Sequence, residues 1–533
     1  MPAAKIDIPI PTVPGDPGLL ERASDNSHFG ALLLLLLYVL IRNLIGAASK
    51  PLDFDELCTM AASSQPSLSA LWAALAHAMD ANPPMFYLLE RGAAALVPNK
   101  HIALRLCPIL AFPCSLLCIF VYVRKQSGAL LAFLCSALLL SSNLFHTFAL
   151  DARPYALVIA CISFALVCYQ RAGAFRWTTL LALSLALAQC LHYYAILAFI
   201  PFGIAETFFL VKTRRIRLGV WLALICGPLP LIFFWPLLSG VRAYYGSHFW
   251  AHYLLSSIPA TYGSFFFVGG ALGAAIAAVC VAGMLGLPLH LPGPNSQGAR
   301  ADDDQPFQTA LLLSLLALPF FGFAVTRLMN TGMTDRYVLS ALIAIPICIS
   351  ALLRHAKPHA VTLFALFVFT AAGVHEYSFW SSLRAQSFHF VSPTASLEEF
   401  VRSAGRENLP VAISDGLSYV PYAHYASPAL AQRLIFLSDP PKALIYTGTD
   451  NLDKNIEALS SHLPLHVIRF SEFQSAHSPF LLYSENSSDN FDWWPHRLPR
   501  EGWTLHALAV DHNRILYLVT SEHLVEVGAS AKN

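Results

Sequence analysis

The chain has 533 residues, 56% hydrophobic and 12% charged, with a net charge of +1. A soluble globular protein carries roughly 25% charged residues, and the mean hydropathy here is +0.55; the composition excludes a simple soluble protein and offers no bulk electrostatic case for nucleic acid. The 11 cysteines form no CxxC pair, and all but Cys58 lie in or beside apolar runs, which excludes a zinc ribbon or a disulfide framework.

Residues 1–28 are polar and proline-rich and show no cleavable signal pattern, so they read as a cytoplasmic tail before an uncleaved first span. A helix crossing the hydrocarbon core needs about 20 apolar residues, and on that rule the sequence predicts about eleven spans. They fall near 29–47, 103–123, 128–147, 153–170, 177–192, 194–211, 218–239, 263–289, 308–328, 337–353 and 360–379. Alternate loops carry Arg124-Lys125, Arg171 and Arg176, Lys212 to Arg217, Arg300, and Arg354 with Lys357. Basic residues in short loops mark the cytoplasmic side. The loops 48–102, 148–152, 240–262 and 329–336, and everything after about residue 380, then face outward. The spans hold almost no charge at their centres and show no inverted repeat, which argues against an ion-coupled transporter.

From about Ser381 the pattern changes. SLEEFVRSAG reads as a helix, PVAIS as a strand, YVPYAHYA as a helix and RLIFLS as a strand. DNLDKNIEALSSHL is an amphipathic helix, and LHVIRF, SPFLLYSE, WTLHALAV and RILYLVTS read as strands. This alternation predicts one α/β domain with a largely parallel sheet. It contains neither GxGxxG nor a P-loop. Asn486-Ser487-Ser488 matches a glycosylation sequon, a pattern too common to decide anything. The expected fold is therefore mainly α: a tail over 1–28, a polytopic transmembrane domain over 29–380 with its first outer loop at 48–102, and an extramembrane α/β domain over 381–533.

Four clusters lie on the outer side. The first is Asp53, Asp55 and Glu56. Near a helix N-terminus the macrodipole favours an ionised carboxylate, which suits Asp55 both as a cap and as a general base on a membrane-borne substrate. The second is Asn82-Pro83-Pro84, which stops one helix and starts another; it divides the first loop into two amphipathic surface helices. The third is Asp151-Ala152-Arg153-Pro154-Tyr155, in which Arg153 either binds a phosphate or pairs with Asp151. The fourth is Thr334-Asp335-Arg336-Tyr337, whose arginine either meets a lipid phosphate or snorkels to headgroups. His192-Tyr193-Tyr194 and the stretch Tyr244–Trp250 also face outward, and read first as interfacial aromatics. His248 and His252 lack an acidic zincin partner and do not make a dedicated metal site.

In their order and shared side these elements resemble the GT-C fold membrane glycosyltransferases, in the bacterial group similar to protein O-mannosyltransferases and lipid A aminoarabinose transferases. The residues that carry the resemblance are the Asp55-Glu56 pair, Asn82-Pro83-Pro84 in place of a HisProPro element, Asp151-x-Arg153-Pro154-Tyr155 where glutamate is commoner, His192, and Arg336-Tyr337. It covers about residues 29–380. The resemblance implies an inverting transfer of a hexosyl or pentosyl group from a polyprenyl-phosphate donor to a hydroxyl on a glycan, lipid or protein. Asp55 is then the general base, and Glu56 orients the acceptor or holds a divalent cation. Arg153 or Arg336 meets the donor phosphate. Asp53, Asn82, Asp151, Tyr155, His192 and Tyr337 line the pocket. It implies no certain cofactor, leaves a divalent cation open, and places the protein in a bacterial inner membrane with its C-terminal domain periplasmic. The rival reading is a non-catalytic lipid or glycan transporter, which calls for a polar path through the spans. A sensor on an anchor calls for one or two spans.

Overall fold

The computed structural model describes residues 19–246, 248–265, 305–354, 356–476, 479–485 and 491–521. The first helix, α1 (Leu19–Ser49), carries the run LLLLLLYVLI and turns Leu33, Leu34, Leu37 and Ile41 outward while Leu32 and Val39 are buried. A solvent-facing side built of leucine fits lipid rather than water. Four helices follow before the next long apolar segment: α2 (Phe54–Ser63), α3 (Leu68–Ala76), α4 (Pro84–Leu96) and the single turn α5 (Lys100–Ala103). Then come α6 (Leu106–Ser127), α7 (Ala129–Leu138), α8 (Asn143–Ala149), α9 (Tyr155–Tyr169), α10 (Phe175–Leu191), α11 (Phe199–Thr213), α12 (Leu218–Cys226), α13 (Leu229–Tyr245) and α14 (Ser257–Ser264). The helices Gln305–Leu316, Leu318–Met329, Ser340–Leu353 and Pro358–Ala385 complete the apolar part.

Among the described residues, five segments are long and apolar enough to cross a membrane: Asn26–Ser49, Leu106–Ser127, Tyr193–Thr213, Leu218–Tyr245 and Pro358–Ala385. Tyr155–Tyr169, Phe175–Leu191 and Ser340–Leu353 are shorter apolar helices. Two predicted spans are bent instead of straight. The segment 128–147 turns by 77° where α7 gives way to α8, because Ser142 accepts the amide of Phe145 at 3.2 Å and starts a new helix. The segment 308–328 turns by 60°, with Pro319 in the first turn of the second piece, where proline fits. The predicted span 263–289 lies outside the described residues apart from its first three, and so does the sequon at 486–488.

The first loop departs from the expectation of two surface helices. It holds three helices and a turn, and α2 and α4 are internal. Leu57, Phe86 and Tyr87 are buried in one core with Tyr419, Val420 and Ile456 of the C-terminal domain. Polar contacts pin the same seam: the Tyr425 hydroxyl accepts the amide of Leu52 at 2.8 Å, and Asn455 donates to the Tyr245 hydroxyl at 2.7 Å.

The C-terminal domain is a six-stranded sheet of order β3-β2-β1-β4-β6-β5. Its strands are β1 (Val411–Ile413), β2 (Leu434–Ser438), β3 (Val467–Arg469), β4 (Phe480–Ser484), β5 (Trp503–Asp511) and β6 (Arg514–Ser521). The first four run parallel, and β1, β2 and β4 are buried on both faces, as covered parallel strands are. The largely parallel expectation holds for these four. It fails for β5 and β6, which pair antiparallel with each other, as β6 does with β4. Only His512 and Asn513 separate β5 from β6, and so short a link allows a hairpin but no crossover.

Close backbone approach fixes the seat of α3 on α13. A Cβ added at Gly240 would stand 2.6 Å from the Ala76 carbonyl oxygen. Replacing Gly240 by valine is expected to cost about 1–3 kcal/mol through overpacking, read as a lowered thermal midpoint of the detergent-purified protein.

Candidate functional site

The site begins with a capping box. Asp53 caps α2, accepting the amide of Glu56 at 3.0 Å, while Glu56 accepts the amide of Asp53 at 3.1 Å. The cap is therefore Asp53, and the carboxylate of Asp55 is free of that duty. Glu56 is fully buried. Arg105, also fully buried, grips it with Nε at 2.6 Å and Nη2 at 2.5 Å. The Ala152 amide donates to the same carboxylate at 2.8 Å. Arg105 also donates to the carbonyls of Ala47, Lys50 and Pro51. Burial alone would raise the Glu56 carboxyl, but Arg105 and Lys50 outweigh it and hold it below its usual range.

Asp55 lies on the other side of the helix start. Its Oδ2 accepts Nη1 of Arg336 at 2.8 Å and lies 3.9 Å from Nε of Arg153. The side chain keeps 30% of its surface open. Burial pushes its carboxyl upward, yet Arg153 and Arg336 together hold it below the usual range, so it is ionised at neutral pH.

Arg153 does not pair with Asp151. Its nitrogens reach Asp80 at 2.5 and 3.2 Å, the Asp55 carbonyl at 3.2 Å and the Thr59 hydroxyl at 3.3 Å. A tight turn, with the Arg153 amide 2.7 Å from the Asp151 carbonyl, separates the two side chains. Asp151 is buried, and burial with Asp53 and Glu56 nearby pushes its carboxyl well up. Oxygens of Asp53, Glu56 and Asp151 lie within 4.8 Å of one another, a spacing a cation could use. The Lys50 ammonium already stands 3.5 Å from Asp53 and 3.6 Å from Glu56 and donates to the Leu150 carbonyl at 3.3 Å.

Arg336 sits among the rings of Tyr155, Trp250 and Tyr337, its guanidinium carbon 5.6–5.9 Å from their centroids. Its Nε is buried with no hydrogen-bond partner. Tyr337 stacks on Tyr194 at 4.5 Å, and His192 lies 4.9 Å from Tyr337 and 5.3 Å from Tyr155. Together with Val158, Ile159 and Leu318 these rings line a cleft beside Arg336. Burial, with Arg153 and Arg336 nearby, lowers His192 to about 3, so it is neutral. Its Nδ1 accepts the Tyr194 amide at 3.2 Å. Asn82 is buried beside the Tyr87 hydroxyl, at the turn that leads into α4. A second cavity, of about 860 Å³, opens between α3, α13 and the helix Asn451–Leu459, with Met79, His77 and His462 in its wall.

The structure thus gathers Asp55, Glu56, Asp53, Arg153, Asp151, Tyr155, His192, Arg336 and Tyr337 around one centre. It adds Lys50, Asp80 and Arg105, which the sequence reading passes over, and draws in Trp250, which that reading takes as an interfacial aromatic. Asp80 stands two residues before Asn82, and Arg105 opens α6 as a lone arginine ahead of an apolar run; a buried charge in such a place needs a partner, which is the signal that marks both.

Residues 81–239 match the family model described as dolichyl-phosphate-mannose-protein mannosyltransferase. The crystal structure of ArnT from Cupriavidus metallidurans in the apo state superposes with a TM-score of 0.54 at 11% identity, covering 92% of this chain and 98% of that one. The chain has the GT-C fold. The family match is confined to residues 81–239, and the likeness to ArnT is one of fold. ArnT bound to undecaprenyl phosphate matches this GT-C chain with a TM-score of 0.52 at 11% identity, covering 91% and 97%. No curated protein matches the sequence. Its multiple apolar helices make it a multi-pass membrane protein.

Replacing Arg105 by methionine leaves Glu56 buried without its partner and is expected to cost about 3–5 kcal/mol. Because Glu56 is held below its ordinary value of 4.5, the stability it contributes is present above that pH and is lost as pH falls through the lowered value. Thermal melts of wild type and variant across pH check both: the gap between the two proteins narrows in acid.

Proposed function

We propose that this protein is a glycosyltransferase that moves a sugar from a polyprenyl-phosphate donor to an acceptor hydroxyl at the outer face of the membrane. The observation that carries this reading is one ionised, partly open carboxylate, Asp55, held between two arginines, one of which, Arg336, lines an aromatic cleft. ArnT, whose fold this chain shares, has been solved with undecaprenyl phosphate. The mannosyltransferase family match covers the segment that supplies Asn82, Arg153 and His192.

In this reading Asp55 takes the proton of the acceptor hydroxyl. The freed oxygen pair attacks the anomeric carbon, and the bond from that carbon to the phosphate oxygen breaks with inversion. The electrons of that bond go to the polyprenyl phosphate, which leaves with more negative charge and needs cations more than an acid. Arg336 meets that charge. Its unpartnered Nε faces no protein acceptor, and its Nη1 passes from Asp55 to the phosphate as the donor arrives. Arg153 is committed to Asp80 and acts by orienting Asp55. Glu56 has both oxygens taken by Arg105 and by backbone amides, so it positions α2 and touches neither acceptor nor a divalent ion. Tyr155, His192, Tyr194 and Tyr337 line the path of the donor, and neutral His192 accepts or donates single hydrogen bonds without competing for the phosphate.

Orientation follows the same reading. α6, 22 residues long, starts beside Glu56 and carries Arg124 and Lys125 in its last turn, about 27 Å away along a helix. The basic loops lie on the cytoplasmic side, and the site and the α/β domain face the periplasm of a bacterial inner membrane.

The test is polyprenyl-phosphate release in proteoliposomes, given a panel of polyprenyl-phosphate sugars and an envelope extract as acceptor. Wild type is expected to release one donor's lipid, and Asp55→Asn, folded by thermal melt, to fall by about 10²–10⁴-fold. Equal release from both folded proteins would remove Asp55 as the base. Arg336→Gln supplies a second reading. With that cation gone the Asp55 carboxyl rises, so the acidic limb of kcat/KM is expected to shift to higher pH, as activity is lost wherever Asp55 takes up a proton.

A further inference from the structure

A second group of ligand-type side chains lies where α1, α8 and the helix Pro358–Ala385 meet. His146 projects from α8, and His375 and Glu376 from the long helix; one atom of each lies within 4.8 Å of the others. Both histidines are buried, and their rings stack at 4.5 Å. Nε2 of His146 lies 2.8 Å from the Leu140 carbonyl. A carbonyl only accepts, so the ring proton is on Nε2 and the Nδ1 lone pair is bare. That Nδ1 is buried with no hydrogen-bond partner. On Glu376, Oε2 accepts the Tyr38 hydroxyl at 2.7 Å and Nε of Arg42 at 2.9 Å. The other oxygen, Oε1, is buried with no hydrogen bond and stands 3.6 Å from Nε2 of His146.

The transfer reaction uses none of these groups. A bare imidazole nitrogen and a bare carboxylate oxygen are costly to bury together, and a second imidazole stacks on the first. Two imidazoles and one carboxylate are a donor set for borderline divalent ions such as Zn²⁺. The surroundings fit as well. Metal-bound histidines hand their other ring N–H to a carbonyl, and ligating carboxylates are themselves hydrogen-bonded; with His146 bound through its bare Nδ1, Leu140 would take the Nε2 proton, and Tyr38 and Arg42 already hold the carboxylate. We propose that His146, His375 and Glu376 bind one divalent transition-metal ion of the Zn²⁺ class. A tetrahedral ion with bonds of about 2.0–2.1 Å sets its ligands about 3.4 Å apart, so binding tilts the two rings out of their stack. Arg42 already balances Glu376. The ion therefore brings two uncompensated charges, and its open position takes an anionic oxygen such as hydroxide.

The test uses full-length protein in detergent, stripped with a chelator and titrated with Zn²⁺ or Co²⁺ alone. Wild type is expected to take one ion per chain and to show the visible absorption of tetrahedral Co²⁺. Glu376→Gln keeps an acceptor for Tyr38 and Arg42, and His375→Asn is the second variant; each is expected to weaken binding by more than about 100-fold. Asp151→Asn is expected to leave binding unchanged. X-ray absorption at the zinc edge of wild type reads two imidazoles and one carboxylate without any variant. Failure of wild type to bind one ion, loss in Asp151→Asn with retention in the other two, or a zinc edge without two imidazoles would each overturn the assignment.

Discussion

The site hangs on one buried ion pair. Glu56 draws Arg105 from the start of α6, the amide of Ala152 from the approach to α9, and through Arg105 three carbonyls at the end of α1. Four stretches of chain converge on one carboxylate from which water is excluded, so none can shift without stranding a charge. On an α-helix successive side chains point about 100° apart. Fixing Glu56 inward therefore aims its neighbour Asp55 along another direction, toward Arg153 and Arg336. The direction in which Asp55 points is inherited from the burial of Glu56.

Charge alternates outward from that pair. One run passes from Arg105 through Glu56 to Lys50, with Asp53 on its flank. The other passes from Asp80 through Arg153 and Asp55 to Arg336. Within each run an inner charge has opposite signs on both sides, which offsets desolvation better than an isolated pair does. The ends differ. Asp80 is buried and closed by Arg153, whereas Arg336 lies beside the cleft with one nitrogen unused. The open end of the second run is where an incoming anion gains most.

How much of this could be read in advance follows from range. The order of the motifs and the side they share come from local hydropathy and from proline positions, and the strands β1, β2 and β4 declare themselves as short β-branched and aromatic runs. Partnerships are another matter. Glu56 and Arg105 are 49 residues apart, and Asp80 and Arg153 are 73 apart; nothing local couples them. Arg153 was offered its sequence neighbour Asp151 as a partner, and a two-residue turn sent the side chains apart. The bends at Ser142 and Pro319 escaped because hydropathy averaged over a window does not see a break in helix direction. The hairpin of β5 and β6 was within reach, since the His512-Asn513 link is too short for anything else.

The seam between the first loop and the α/β domain bears on how the chain is made. Leu57, Phe86 and Tyr87, laid down early in synthesis, share a core with Tyr419, Val420 and Ile456, laid down more than 300 residues later. Domains generally fold as units from the N-terminus while the chain is still emerging, but this one cannot close in that order. The Asp55 side of the candidate site waits, its apolar faces uncovered, until the α/β domain has been made and folded. Assembly of the protein is thus a race between completion of the α/β domain and capture of an exposed loop, and a stop late in the message would leave a spanning protein with its first loop uncovered.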